Sequence, residues 1–270
     1  MGAPVINAAE FAAFVLVLLR LSMLVVFAPI FSGSQVMPQL KAALTLMLTF
    51  VIAPGVEYSP ALMPMTWHGF LFLGLGEVFI GYALAFMVRV VLDAAKMAGE
   101  YVSFQMSLSM LNSMDPQGSA QIPMMGMLFN MIVTLFFLYA NGHMLVLKAV
   151  IDSFKVAPPG LLSVWRPEMF TEALRAVAGM YILALKIAAP VLGVLFCVKV
   201  AFGIVAKAVP QMNILFVGMP VYIMVGFAIL GYALPWWPGF IEEALVAADQ
   251  AMGRILAVLA PAASDYRPGY

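Results

Sequence analysis

Charge and thiols are scarce in this sequence. Only 10% of its 270 residues are Asp, Glu, Lys or Arg, and 13 basic residues balance 13 acidic ones. Soluble domains carry about 25% charged residues. Without a basic excess there is no electrostatic footprint for a phosphate backbone, which excludes a nucleic-acid binder. The single cysteine, Cys197, cannot close an internal disulfide and supplies no C-x-x-C pair or thiolate metal site. The two histidines, His68 and His143, lie far apart. There is no P-loop, no H-E-x-x-H and no defensible Ser/His/Asp set, and Gly74-Leu75-Gly76 alone is no nucleotide loop. Catalytic residues, metal ligands and cofactors are therefore not expected. Met1 to Glu10 also lacks the positive n-region of a secretory signal, so the apolar stretch after it reads as part of the mature chain.

Apolar residues are what the chain has in excess. They make up 64% of it, and the mean hydropathy is +1.04. The fold class this implies is all-α: a polytopic, membrane-associated helical protein. Apolar segments run over 11–31, 42–53, 70–88, 123–147, 177–205 and 214–234. A last helix, about 240–259, is amphipathic. Ile241, Leu245, Ala248, Met252, Ile255 and Leu259 line one side, while Glu242, Glu243 and Asp249 face away. Methionine is unusually frequent at 22 residues, and its flexible thioether suits surfaces that must repack.

As plain membrane spans these segments are awkward. Segment 42–53 covers roughly 18 Å against the roughly 30 Å of a bilayer core. Arg20, Glu77, Lys186 and Lys199 sit inside apolar runs, where a central charge costs about 2.5–3.5 kcal/mol. They read equally as an ion relay or as structural pairs. The positive-inside rule leaves the topology open. Six spans would put Lys148, Lys155, Arg166, Arg175, Arg254 and Arg267 opposite Lys41, Arg89, Lys96, Lys199 and Lys207.

Two connections carry more information than ordinary loops. Arg89, Asp93, Lys96 and Glu100 form one helical stripe, with opposite charges four residues apart. The stretch Phe104 to Ile122 then contains Gln105, Met106, Met110 and Met114, with Asp115 as its charge and Pro116, Gly118 and Pro123 as breakers. Asp115-Pro116 reads as a helix stop or a functional turn. The methionine row reads as a deformable seal or as packing. Further on, Pro210 ends one helix and Asn213 is placed to cap the next, so Pro210, Gln211 and Asn213 form a hairpin tip, with Pro220 beyond it.

In combination, these motifs resemble the FliR family, within the FliR/SctT group of type III export-gate proteins. Those that carry the resemblance are Arg20, Pro29, Phe31 and Pro38-Gln39-Leu40-Lys41; Glu77 and Gly81; Ala98-Gly99-Glu100, Gln105-Met106, Asp115-Pro116 and Pro123; Asn141-Gly142-His143; Ala189-Pro190; and Val209-Pro210-Gln211-Met212-Asn213 with Gly218-Met219-Pro220. The family usually has glycine after Gln-Met, where this chain has Ser107.

The resemblance implies a non-enzymatic subunit of a flagellar export gate, built with FliP and FliQ homologues. FlhB and FlhA homologues, unfolded export substrates and membrane lipid are the other expected partners. Residues 1–175 would be FliP-like and carry a plug at about 104–122. Residues 176–260 would be a FliQ-like hairpin plus the amphipathic helix, and 261–270 a tail. The expected place is the bacterial inner membrane at the flagellar basal body. The rival reading is a small-solute secondary transporter, for which inverted repeats with discontinuous helices would be needed.

Overall fold

A computed structural model of the chain describes residues 8–27, 37–58, 66–108, 124–160, 166–209, 211 and 213–264. Among the described residues the secondary structure is helical and no strand occurs. The helices are α1 (Ala8–Phe27), α2 (Pro38–Ile52), α3 (Trp67–Gln105), α4 (Met124–Tyr139), α5 (Gly142–Val156), α6 (Pro167–Ala208), α7 (Ile214–Ala233) and α8 (Trp237–Ser264). Five stretches are long and apolar enough to cross a membrane: Ala8–Phe27, Pro38–Gly55, Trp67–Gln105, Pro167–Ala208 and Phe216–Ala260. The pair α4 and α5, bent by 66°, would make a sixth as one broken span.

Several boundaries differ from those expected, each for a local reason. α2 begins at Pro38, where the fixed φ of proline suits the first helical turn, and a short 3-10 turn extends it to Gly55. The resulting stretch is long enough to span, unlike the segment 42–53 read from apolarity. Segment 123–147 is two helices rather than one. Asn141 takes φ 57° and ψ 28°, and this left-handed residue breaks the path. α6 is 42 residues long and runs through Pro190 without ending. Proline has no N–H, so the Lys186 carbonyl four residues back loses its helical donor.

α2 is inverted relative to a soluble amphipathic helix. Thr45 and Thr49 are its buried residues, and each hydroxyl donates to a backbone oxygen four residues earlier, Lys41 at 2.8 Å and Thr45 at 2.7 Å. Leu40, Leu46, Met47, Phe50 and Val51 point outward. With both threonine hydroxyls satisfied inside and most of the apolar side chains beyond Lys41 exposed, this helix suits an apolar surround.

The chain divides into two compact units that alternate along the sequence: Met1–Val90 with Asn141–Val177 and Leu245–Tyr270, and Val91–Ala140 with Ala178–Ala244. In the first unit Leu16, Leu21 and Leu84 are fully buried, and Phe14 packs on Phe50. In the second, Phe129 packs on Trp237 with ring centroids 4.7 Å apart. There α3 and α4 meet backbone to backbone: a Cβ at Gly99 would lie 2.6 Å from the Met125 carbonyl oxygen and 2.7 Å from the Gly126 Cα. The apolar row of α8 is buried as its period requires, and Glu242, Glu243 and Asp249 are exposed.

Candidate functional site

Arg20 is wholly buried in the first unit, and each of its three guanidinium nitrogens donates a hydrogen bond. Nε donates to Glu77 Oε2 at 2.6 Å, Nη1 to Ser153 Oγ at 3.1 Å, and Nη2 to the Ala157 carbonyl at 2.9 Å. The Ser153 hydroxyl donates onward to the Val150 carbonyl. The Phe154 ring lies 4.4 Å from the guanidinium carbon. One side chain of α1 thus ties α3 to the end of α5. Gly81, one turn after Glu77, makes this possible: a Cβ there would collide with the Arg20 carbonyl. A planar, multi-donor arginine suits such a junction better than lysine would. Of the two readings of these charges, pairing describes this one.

The two lysines also find partners inside the chain. Lys186 Nζ lies 2.9 Å from both carboxylate oxygens of Glu243, and both side chains are substantially exposed. Lys199 Nζ donates to Gln105 Oε1 at 3.0 Å and lies 5.5 Å from the centre of the Tyr222 ring. Sequence reasoning missed Ser153, Phe154 and Tyr222 as partners. It also missed a third cluster, in which buried Glu172 accepts from Arg254 Nε at 2.8 Å and from Arg175. The i,i+3 spacing of Glu172 and Arg175 was its one sequence signal.

Lys199 and Gln105 mark the place where α3 ends. Phe104 and Gln105 belong to its last turn, Phe104 73% exposed and Gln105 half-buried. Met106 is fully buried and lies along Gly226 of α7, where a Cβ would come within 2.8 Å of it. Ser107 then takes φ 61°, the left-handed conformation that ends helices and favours glycine. Departure from the helical path therefore falls at Ser107, not at Phe104. Met110, Met114, Asp115 and Pro116 lie outside the described residues, as do Pro123 and Pro210.

At the hairpin tip Gln211 is exposed, and Asn213 holds the N-cap position with φ −76° and ψ 91°. The Asn213 side chain makes no capping bond; the Asn213 backbone carbonyl accepts from Phe216 N–H at 3.1 Å. Pro220 lies inside α7 and does not break it. The expected i,i+4 pair of Lys96 and Glu100 is also replaced. Lys96 turns back to Asp93 at 2.9 Å, and Glu100 has no ion pair among the described residues. Among the described residues no three His, Cys, Asp or Glu side chains gather as a metal site requires.

Long apolar helices and internally paired charges define a polytopic helical membrane protein with no evident catalytic constellation among its described residues. The sequence profile of the bacterial export proteins, family 1, matches residues 11–248, and the chain belongs to that family. It is 32% identical over 222 residues to the flagellar biosynthetic protein FliR of Bacillus subtilis (strain 168), covering 82% of this chain and 85% of that one. With FliR of Escherichia coli (strain K12) it shares 29% over 226 residues, 84% and 85% of the two chains. With FliR of Aquifex aeolicus (strain VF5) the figure is 28% over 208 residues, 76% and 79%.

Proposed function

We propose that the chain is a non-enzymatic subunit of the flagellar type III export gate in the bacterial inner membrane. In this reading it assembles with FliP and FliQ homologues, beside FlhB and FlhA homologues, into a channel at the basal body. The channel conducts unfolded flagellar proteins and is closed at rest. Membership in the bacterial export family over residues 11–248 is the observation that carries the reading. Residues 1–175 take the FliP-like part and 176–260 the FliQ-like part. The segment that follows Ser107, with Met110, Met114, Asp115 and Pro116, is the plug. The chemistry of that stretch supports it: methionine side chains dewet a constriction and reshape around a passing chain.

The test is genetic and biochemical together. In the source organism, deleting the gene should abolish motility and the export of flagellar proteins, and complementation should restore both. A tagged chain should co-purify with the FliP and FliQ homologues. Normal export in the deletion strain, or a long-lived free monomer in wild-type membranes, would overturn the reading. Shortening 109–118 should leave the complex assembled and raise ion leak. An assembled complex without leak would remove the plug.

A further inference from the structure

Within the second unit, the end of α3 is held by α6 and α7 at two adjacent residues. Lys199 Nζ of α6 donates to Gln105 Oε1 at 3.0 Å, and the ammonium lies 5.5 Å from the centre of the Tyr222 ring of α7. No carboxylate among the described residues pairs with Lys199. Phe202, three residues after Lys199, meets the same ring edge-on with centroids 5.5 Å apart. Gly218, Tyr222 and Gly226 stand four residues apart on one side of α7. Gly218 leaves room for the Tyr222 hydroxyl, which a Cβ there would approach to 2.9 Å. Gly226 leaves room for Met106, whose Cε and Cγ would lie 2.8 Å from a Cβ at that position. Met106 is fully buried, while Lys199, Gln105 and Tyr222 are half-buried. One residue later, Ser107 leaves the helical path.

A half-buried ammonium is ordinarily matched by a carboxylate, because leaving it uncompensated is costly. Here its hydrogen-bond partner is a neutral amide. Such a bond is weaker than one between two ions, so the contact holds without locking. The thioether beside it is a side chain that repacks readily, and it rests on a glycine. We propose that Lys199 is a positioning residue for the gate. Its bond to Gln105, with Met106 seated on Gly226, is a releasable latch that keeps the end of α3 in its resting place. The start of the segment after Ser107 is fixed with it. The inference rests on the plug reading above and adds the residues that set how easily the plug departs.

The experiment uses the full chain with its neighbours, in cells of the source organism. It reads ion leak across the inner membrane and export of flagellar proteins, both scaled to the amount of assembled complex. Gln105→Leu and Lys199→Met should each raise the leak by about tenfold, the factor by which losing a hydrogen bond to a charged group shifts an open–closed equilibrium. The double variant should leak no more than either single one, because both remove the same bond. Lys199→Arg keeps the charge and a donor, and should leak as little as the unaltered chain. Gln105→Glu should act in the opposite sense. An ion pair with Lys199 would leave the leak at or below its ordinary level and slow export by about threefold or more. Adding Lys199→Met to Gln105→Glu should bring the leak back. A residue that only supports the fold would not give variants of opposite sign. Ordinary leak in both Gln105→Leu and Lys199→Met, additive leak in the double variant, or raised leak in Gln105→Glu would overturn the latch. Where the truncated side chains prevent assembly, Gln105→Glu decides alone, and unslowed export or raised leak overturns it. Shortening 109–118 is the separate check on the plug. Leak there without leak in Lys199→Met strikes only the latch, and no leak in either strikes the plug reading and the latch together.

Discussion

Arg20 and Glu77 lie 57 residues apart in the chain and meet in a buried ion pair, Nε to Oε2 at 2.6 Å. Neither can find water once the first unit has formed. Removing one partner leaves an uncompensated charge, which costs about 3–5 kcal/mol in buried pairs. Arg20→Ala and Glu77→Ala should each destabilise by roughly that amount. Replacing both with apolar residues of similar volume should cost much less than the sum. A double-mutant cycle on the detergent-purified protein, read by thermal unfolding, checks this. Additive losses would show that the two side chains act independently.

Gly99 should tolerate no larger residue. Its missing Cβ would meet the backbone of α4 at Met125 and Gly126, which cannot rotate away as a side chain can. Gly99→Ala should therefore cost about 1–3 kcal/mol, the usual range for overpacking. Gly179 supplies the control, because a methyl group there would meet nothing within 4 Å. At that position the same substitution should be neutral or stabilise α6 by up to about 1 kcal/mol. Melting temperatures of the two variants should move in different directions or by clearly different amounts.

Ser107 sits at φ 61°, where a Cβ is penalised by roughly 1–2 kcal/mol. Ser107→Gly should relieve that strain and stabilise the protein by up to about 1 kcal/mol after the extra freedom of the unfolded chain is counted. Ser107→Val should do the opposite. An unfolding midpoint lowered by glycine would show that the serine side chain holds this turn.

The Lys186–Glu243 pair is half-open on both sides and should be worth under about 1 kcal/mol in the isolated chain. Raising the salt concentration should weaken the coupling further. A double-mutant cycle at low and high salt measures both. A coupling of several kcal/mol, insensitive to salt, would mean that the pair is covered.

What was legible in the sequence were features that repeat or stand out locally. The period of α8 is visible in six apolar residues, and Arg20 and Glu77 are conspicuous because they interrupt apolar runs. Their partners were not legible. Ser153 and Ala157 lie more than 130 residues from Arg20, and no local pattern encodes such a meeting. Taken alone, the charges suggest a chain that needs other subunits to satisfy them; within the chain Glu77 and Glu243 pair with Arg20 and Lys186, and the neutral Gln105 amide accepts a hydrogen bond from Lys199. Boundaries failed where apolarity was used alone. It runs unbroken across Asn141, although that residue turns the backbone, and it missed the Pro38 and Pro167 starts because polar neighbours surround both.

The alternation of the two units along the chain sets a timetable for biogenesis. The first unit draws on Met1–Val90 but also on Leu245–Tyr270, so it stays incomplete until that last stretch has been made. At about 5–20 residues per second, α1 and α2 wait on the order of ten seconds or longer for α8. Glu77, the partner of Arg20 Nε, is synthesised well before the Ser153 hydroxyl and the Ala157 carbonyl that accept from the two Nη groups. A ribosome stalled before Leu245 leaves behind a chain whose first unit cannot close.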